Sequence, residues 1–246
     1  MSNKNNIKLT VAYDGSNYLG YQDNQTGQTI ENSLRSALEK ILQEKITLQA
    51  ASRTDRGVHA NGQVVNFFSN KIPELDKLVF RLNQCLQNDI RVLDAKKMPP
   101  LFHPTLNAKA KTYLYYINTQ KVYSPHLNGF SWHIFKELNI DAMKAGAKHF
   151  IGKKNFSAFT NRIEENNIRE VLDIQLIHKD PLIIIQIYGV SFLYKMVRNI
   201  VGTLLYVGLK KFKADEIKNI LASKNRRLAG PTAPANGLFL DSIEYL

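Results

Sequence analysis

The chain has one cysteine, Cys85, in 246 residues. A single thiol excludes an internal disulfide and any metal centre built from several cysteines, and it points to a reducing compartment. Other ligand patterns do not replace it: His59 and His103 stand far apart, and neither a His-Glu-x-x-His run nor a metal-binding carboxylate pattern occurs. No metal is expected. The glycine loops that cradle nucleotide phosphates, Gly-x-x-x-x-Gly-Lys-Ser/Thr and Gly-x-Gly-x-x-Gly, are also missing, as is a Gly-x-Ser-x-Gly nucleophile elbow. Long apolar runs are absent too. The longest, such as Leu182 to Ile185, fall far short of a membrane span, and the start "MSNKNNIKLT" is polar. A cytoplasmic protein without a membrane partner is the expectation.

What is plentiful is positive charge. Against 21 Asp and Glu stand 33 Lys and Arg, a formal net charge of +12. Such an excess suits a polyanionic partner, most simply nucleic acid, because neutralised phosphates release counterions. With 44% hydrophobic and 22% charged residues, the chain has the composition of a folded protein with a sizeable core.

Periodicity divides the chain into two similar halves. "IKLTVAY" (Ile7 to Tyr13) alternates as a strand, and Ile30, Leu34, Ala37, Leu38, Ile41 and Leu42 recur at helical spacing. Strands follow at "ITLQAA" (Ile46 to Ala51) and "GQVVNFF" (Gly62 to Phe68), a helix opening at Pro73, and a strand at "IRVLDAKKM". This order is βαββαβ, ferredoxin-like. The second half nearly repeats it. A strand "KTYLYYIN" precedes a helix around Ala142 to Phe150, then two strands joined by the turn at Asp180-Pro181. A helix from about Phe192 to Val207 takes Ser191 as N-cap and Gly208 as stop, and a helix at about Ala214 to Ala222 leads into a last strand "LFLDSIEY". The expected fold class is α+β, with halves at 1–103 and 104–246.

Four stretches carry groups capable of chemistry. "ASRTDRGVHA" (Ala51 to Ala60) puts Asp55 between Arg53 and Arg56, next to Gly57 and His59. Two adjacent guanidiniums favour an ionised carboxylate, yet spacing alone favours a solvated charged loop over a reactive one. In "FLYKMVRNIVGTLLYVG" (Phe192 to Gly208), Arg198 borders an apolar helical stripe, and either snorkels to solvent or points inward to an acceptor. "KTYLYYIN" sets Tyr113 and Tyr115 on one strand face, suited to packing or to stacking on bases. "RRLAGPTAPANGLFL" reads as a rigid connector before the last strand.

Together and in this order, the stretches resemble the TruA family of tRNA pseudouridine synthases over nearly the whole chain. "YDGSNYLGYQ" (Tyr13 to Gln22) is similar to the family's opening signature, with Tyr21 in place of its usual tryptophan. "SRTDRGVHA" (Ser52 to Ala60) resembles its catalytic box, with Ser52 for glycine and Arg56 for alanine. "FHPTLNAKAKTYLYYI" occupies the place of a Phe-His-Ala-Arg segment leading into Tyr-x-Tyr. "SFLYKMVRNIVG" and "AGPTAPANGLFL" match the two C-terminal signatures almost residue for residue.

The resemblance implies two ferredoxin-like halves whose antiparallel sheets join across a central RNA-binding cleft, usually in a homodimer. It implies isomerisation of uridine to pseudouridine at positions 38 to 40 of the tRNA anticodon stem-loop, with no cofactor and no metal. Asp55 matches the catalytic aspartate, acting either as a nucleophile or as a base toward the ribose. By the same matching Arg53 holds the flipped nucleotide and displaced strand, Tyr113 stacks on the target uracil, and Arg198 is an inward cation paired with Asp55. Thr105 stands where the family commonly has arginine, which puts one RNA contact in doubt, and Arg56 has no assigned role. An RNA-binding protein that kept the scaffold but lost turnover is the alternative. The RNP1 pattern of an RRM is absent.

Overall fold

A computed structural model describes residues 4–24, 26–71, 73–162 and 165–245. Two compact units share the chain: residues up to Lys109 joined by those from Phe239 on, and Ala110–Leu238. Each combines helices with mostly antiparallel strands, an α+β architecture. Among the described residues no helix is long and apolar enough to cross a membrane.

In the first unit β1 (Asn5–Tyr13), α1 (Ile30–Leu42), β2 (Gln49–Ala50), β3 (His59–Ser69), α2 (Leu75–Cys85) and β4 (Ile90–Met98) follow in the expected order. β1 lies between β3 and β4, antiparallel to both. Alternate β1 side chains, Ile7, Leu9, Val11 and Tyr13, are buried, which is why a half-polar sequence makes a central strand. α1 buries Ile30, Leu34, Ala37, Leu38 and Leu42, and Thr29 caps it by accepting from the Asn32 amide. The opposite edge of β3 serves two partners. β2 runs antiparallel at Val65 and Asn66, while β10 (Leu238–Tyr245) runs parallel at His59 and Ala60.

Three expectations change here. The strand read over Ile46 to Ala51 shrinks to two residues, because the Ile46 amide donates to Glu39 Oε1 of α1 rather than to a strand. α2 starts two residues after Pro73, with Glu74 as its N-cap. The expected boundary at 103/104 differs from the observed units: the crossing comes at Lys109, and the last strand, assigned to the second half by order, pairs with β3 of the first.

In the second unit the strands are β5 (Ala108–Asn118), β6 (Trp132–His133), β7 (Gly152–Asn155), β8 (Ile168–Lys179) and β9 (Leu182–Gly189), and the helices are α3 (Ile140–Ala147), α4 (Met196–Gly208) and α5 (Glu216–Ser223). Sheet order is β5-β9-β8-β7, antiparallel throughout, with β6 parallel to β5. β6 and β7 are two and four residues long, too short to show a period. α3 ends at Ala147, and the rest of the expected helix tightens into a 3₁₀ turn over Lys148–Phe150.

α4 departs most from its reading. It begins at Met196 rather than Phe192, and Ser191 is not its cap; the N-cap is Lys195, in the left-handed region at φ 59°. Phe192 instead folds back over β9, where a Cβ on Gly189 would come within 2.9 Å of its ring. Gly208 lies inside the helix, not beyond it. A Cβ there would meet Met143 Sδ at 2.6 Å, so this glycine lets α3 and α4 approach closely rather than stopping the chain.

Candidate active site

The loop between β2 and β3 is held by backbone on both sides of Asp55. Tyr21 donates its amide to the Thr54 carbonyl at 3.0 Å, and the Val58 amide donates to the Asp55 carbonyl at 3.1 Å. This closes a tight turn through Gly57, whose φ of +75° needs the freedom of glycine. Thr54 is buried, its hydroxyl 2.7 Å from that of Tyr13 at the end of β1. Gln63 of β3 reaches back to the Ser52 carbonyl at 2.7 Å. Asp55 itself remains half-buried, and Arg53 and Arg56 are exposed.

The segment Tyr13 to Gln22 lies directly against this turn. A Cβ on Gly15 would sit 2.0 Å from the Val58 carbonyl oxygen, and one on Gly20 would sit 2.9 Å from that of Thr54. Gly20 also has φ +105°. The Gly15 amide donates to His59 Nδ1 at 3.1 Å, and the buried His59 ring stacks on Phe239 at 4.5 Å. Tyr18 anchors the far end of the segment by donating to Asp89 Oδ1 at 2.7 Å; burial, then that hydrogen bond, raises its phenol above the usual range. His59 is thus a framework residue that braces the turn. Sequence reasoning assigned Gly20 and His59 no job, although their place in the opening signature and catalytic box was the available signal.

Thr105 also has a structural role. Its hydroxyl donates to the Ala50 carbonyl at 2.7 Å, tying the chain before β5 to β2.

In the second unit Tyr113 is buried on β5 opposite Ile187, with its ring edge-on to Phe192 at 5.3 Å. Tyr115, two residues along the same face, is wholly buried and donates to the Pro234 carbonyl at 2.9 Å. Burial pushes its phenol well up, and the positive charge of Arg198 opposes that shift. Arg198 is half-buried and engages backbone. Its Nε donates to the Ala233 carbonyl at 2.7 Å, and the Ala233 amide returns a bond to the Arg198 carbonyl at 3.1 Å.

The stretch read as a plain connector is clamped to α4. A Cβ on Gly202 would lie 1.7 Å from the Pro231 carbonyl oxygen, so the helix and loop meet backbone to backbone. Buried Asn199 accepts from Thr232 at 2.7 Å and from Arg226 at 2.9 Å, and donates to the Phe159 carbonyl at 2.7 Å and to Asn161 at 2.8 Å. Arg226 also donates to the Gly230 carbonyl at 2.8 Å. Polar residues at the start of an apolar helix thus fix the loop that holds the Arg198 guanidinium. Of the four site residues expected from the sequence, Arg53 and Asp55 belong to the first unit and Tyr113 and Arg198 to the second. Among the described residues no group of three or more His, Cys, Asp or Glu could hold a metal ion.

Comparison with known proteins gives one consistent family. The tRNA pseudouridine synthase family model matches residues 9–106 and 147–246. The chain is 48% identical to tRNA pseudouridine synthase A 2 of Protochlamydia amoebophila over 246 residues, covering 98% of this chain and 94% of that one. It is 44% identical to tRNA pseudouridine synthase A of Thermoanaerobacter sp. (strain X514) over 243 residues, covering 98% and 99%. Among solved structures, an H/ACA RNP bound to a substrate RNA containing 2'-deoxyuridine overlaps 82% of this chain and 42% of that one, at 12% identity and a TM-score of 0.38.

Proposed function

Since the chain belongs to the tRNA pseudouridine synthase family, we propose that it isomerises uridine to pseudouridine in tRNA, at positions 38 to 40 of the anticodon stem-loop, with Asp55 as the catalytic residue. The observation that carries the assignment is the turn itself. Backbone hydrogen bonds at Thr54 and Asp55 and two glycine contacts fix the main chain at this residue, which is half-buried. A group held this way keeps its position for reaction.

The reaction breaks the bond from ribose C1′ to uracil N1, forms one from C1′ to C5, moves the C5 proton to solvent and returns a proton to N1. Atoms and electrons balance without an oxidant or an energy source. An ionised Asp55 serves either route, attack on the nucleoside or removal of a ribose proton. Tyr113 would stack on the target uracil. Arg53, exposed beside the turn, has the planar cation suited to the displaced strand, and Arg198 supplies a fixed positive charge for the reacting nucleotide. At the level of architecture we take each unit as ferredoxin-like, which the neighbour order β4-β1-β3-β2 supports in the first. A homodimer completes the reading, and a solution mass of twice 28.0 kDa is the expected measurement.

Release of tritium from C5-labelled uridine in tRNA tests the chemistry. The native protein should release it, and Asp55→Asn should release at least about a thousandfold more slowly while binding tRNA normally, as expected when the reacting group itself is lost. Undiminished release in the variant would remove Asp55 from the mechanism. Binding with no release from either protein would favour the non-catalytic RNA-binding reading.

A further inference from the structure

Just ahead of α4, one exposed aromatic ring gathers two cations. The Arg162 guanidinium lies 5.3 Å from the centre of the Tyr194 ring, and the Lys195 ammonium lies 5.0 Å from it. Among the described residues neither cation has a carboxylate within ion-pair distance. Two like charges at one point repel, and attraction to the ring's negative face offsets that repulsion without neutralising either charge. Two full charges on one exposed ring make a point that attracts an anion.

Its placement is built rather than incidental. Arg162 donates its amide to Thr160 Oγ1 at 3.2 Å, and the same hydroxyl lies 3.2 Å from the Tyr194 carbonyl, so one threonine ties the two cation-bearing segments together. Asn199 then fastens the Phe159–Asn161 stretch to α4 through the Phe159 carbonyl and Asn161 side chain. Arg198 is the residue next to Asn199. Lys195 is held in the left-handed conformation at φ 59°, which sets the direction of its side chain as it leaves the chain just before the helix. The cation pair is thus attached to the same frame that fixes Arg198.

We propose that Arg162 and Lys195, oriented by Tyr194, form a binding point for a phosphodiester of the substrate RNA close to the nucleotide that is modified. This rests on the reading above that the substrate is tRNA. A backbone phosphate suits the site better than a base, because the ring face is already engaged by cations and the two non-bridging oxygens of a phosphodiester can take one cation each. The contact would position the RNA without reading its sequence.

The test compares tRNA affinity across a salt series for five proteins: native, Arg162→Gln with Lys195→Gln, Tyr194→Leu, Tyr194→Phe, and a control with Lys210→Gln and Lys211→Gln. The control also removes two charges and one cation–ring contact, Lys211 over Tyr206 at 4.4 Å, from the far end of α4. The Arg162/Lys195 variant should weaken binding at least about tenfold at low salt and flatten the slope of log affinity against log salt by roughly 1, the loss of one phosphate contact. Tyr194→Leu should lower affinity in the same direction by a smaller factor, and Tyr194→Phe should restore it. Equal losses in the control pair, or no change in the Arg162/Lys195 variant, would overturn the proposal. If the native protein fails to bind tRNA in a salt-dependent way, the substrate reading fails instead.

Discussion

Gly20 shows what a single atom decides at the residue scale. Its φ of +105° is one that a side chain rarely adopts, and a Cβ would press on the Thr54 carbonyl at 2.9 Å. Gly20→Ala should therefore cost about 1–3 kcal/mol of stability, and should lower tritium release further than the lost stability accounts for, because the displaced atom belongs to the residue before Asp55. Urea denaturation and the tritium assay, run on the same preparation, check both parts. Normal release at full stability would show that the turn tolerates the push. At this scale the sequence singled out Asp55 through one short signature. It was uninformative about Gly15 and Gly20, since a glycine records neither which backbone it approaches nor the sign of φ.

Elements were legible where period and burial agreed. β1, β4 and α1 lie close to their readings because each has one apolar face that meets a core. α4 did not, since an apolar run carries no mark of where its first helical residue falls. Phe192 packs on Gly189 and Tyr113 instead of joining the helix, which a one-dimensional pattern does not encode. The early part of α4 yields a prediction of its own. Asn199→Ala would leave Arg226 and Thr232 without their shared acceptor and release the Phe159 segment, so stability should fall by about 1–3 kcal/mol. Turnover should also fall, since the loop that receives Arg198 Nε is loosened, whereas the Arg162/Lys195 substitutions should act on affinity. A urea midpoint shift without loss of single-turnover rate would separate the clamp from the positioning of Arg198.

For the whole molecule, the governing quantity is the net charge of +12. A tRNA partner should be held largely through phosphates, so affinity should drop more than about tenfold between 50 and 200 mM salt. A filter-binding series measures it directly, and salt-independent binding would remove charge from the account. Each unit builds its own core, so the excess charge constrains the surface and not the fold.

The sequence by itself determined the α+β class, the strand and helix order of the first unit, the family, and the residues to mutate first. These follow from local period and from short signatures, both written along the chain. Only the tertiary structure decided that the last strand returns to β3, that Gly208 lies inside a helix, that Arg198 turns toward the Ala233 carbonyl, and that Arg162 and Lys195 share one ring. Each of these is a meeting of residues distant in sequence or a direction taken by one side chain. Hydrogen-bond partners and close backbone approaches settle such matters, and a linear pattern contains neither.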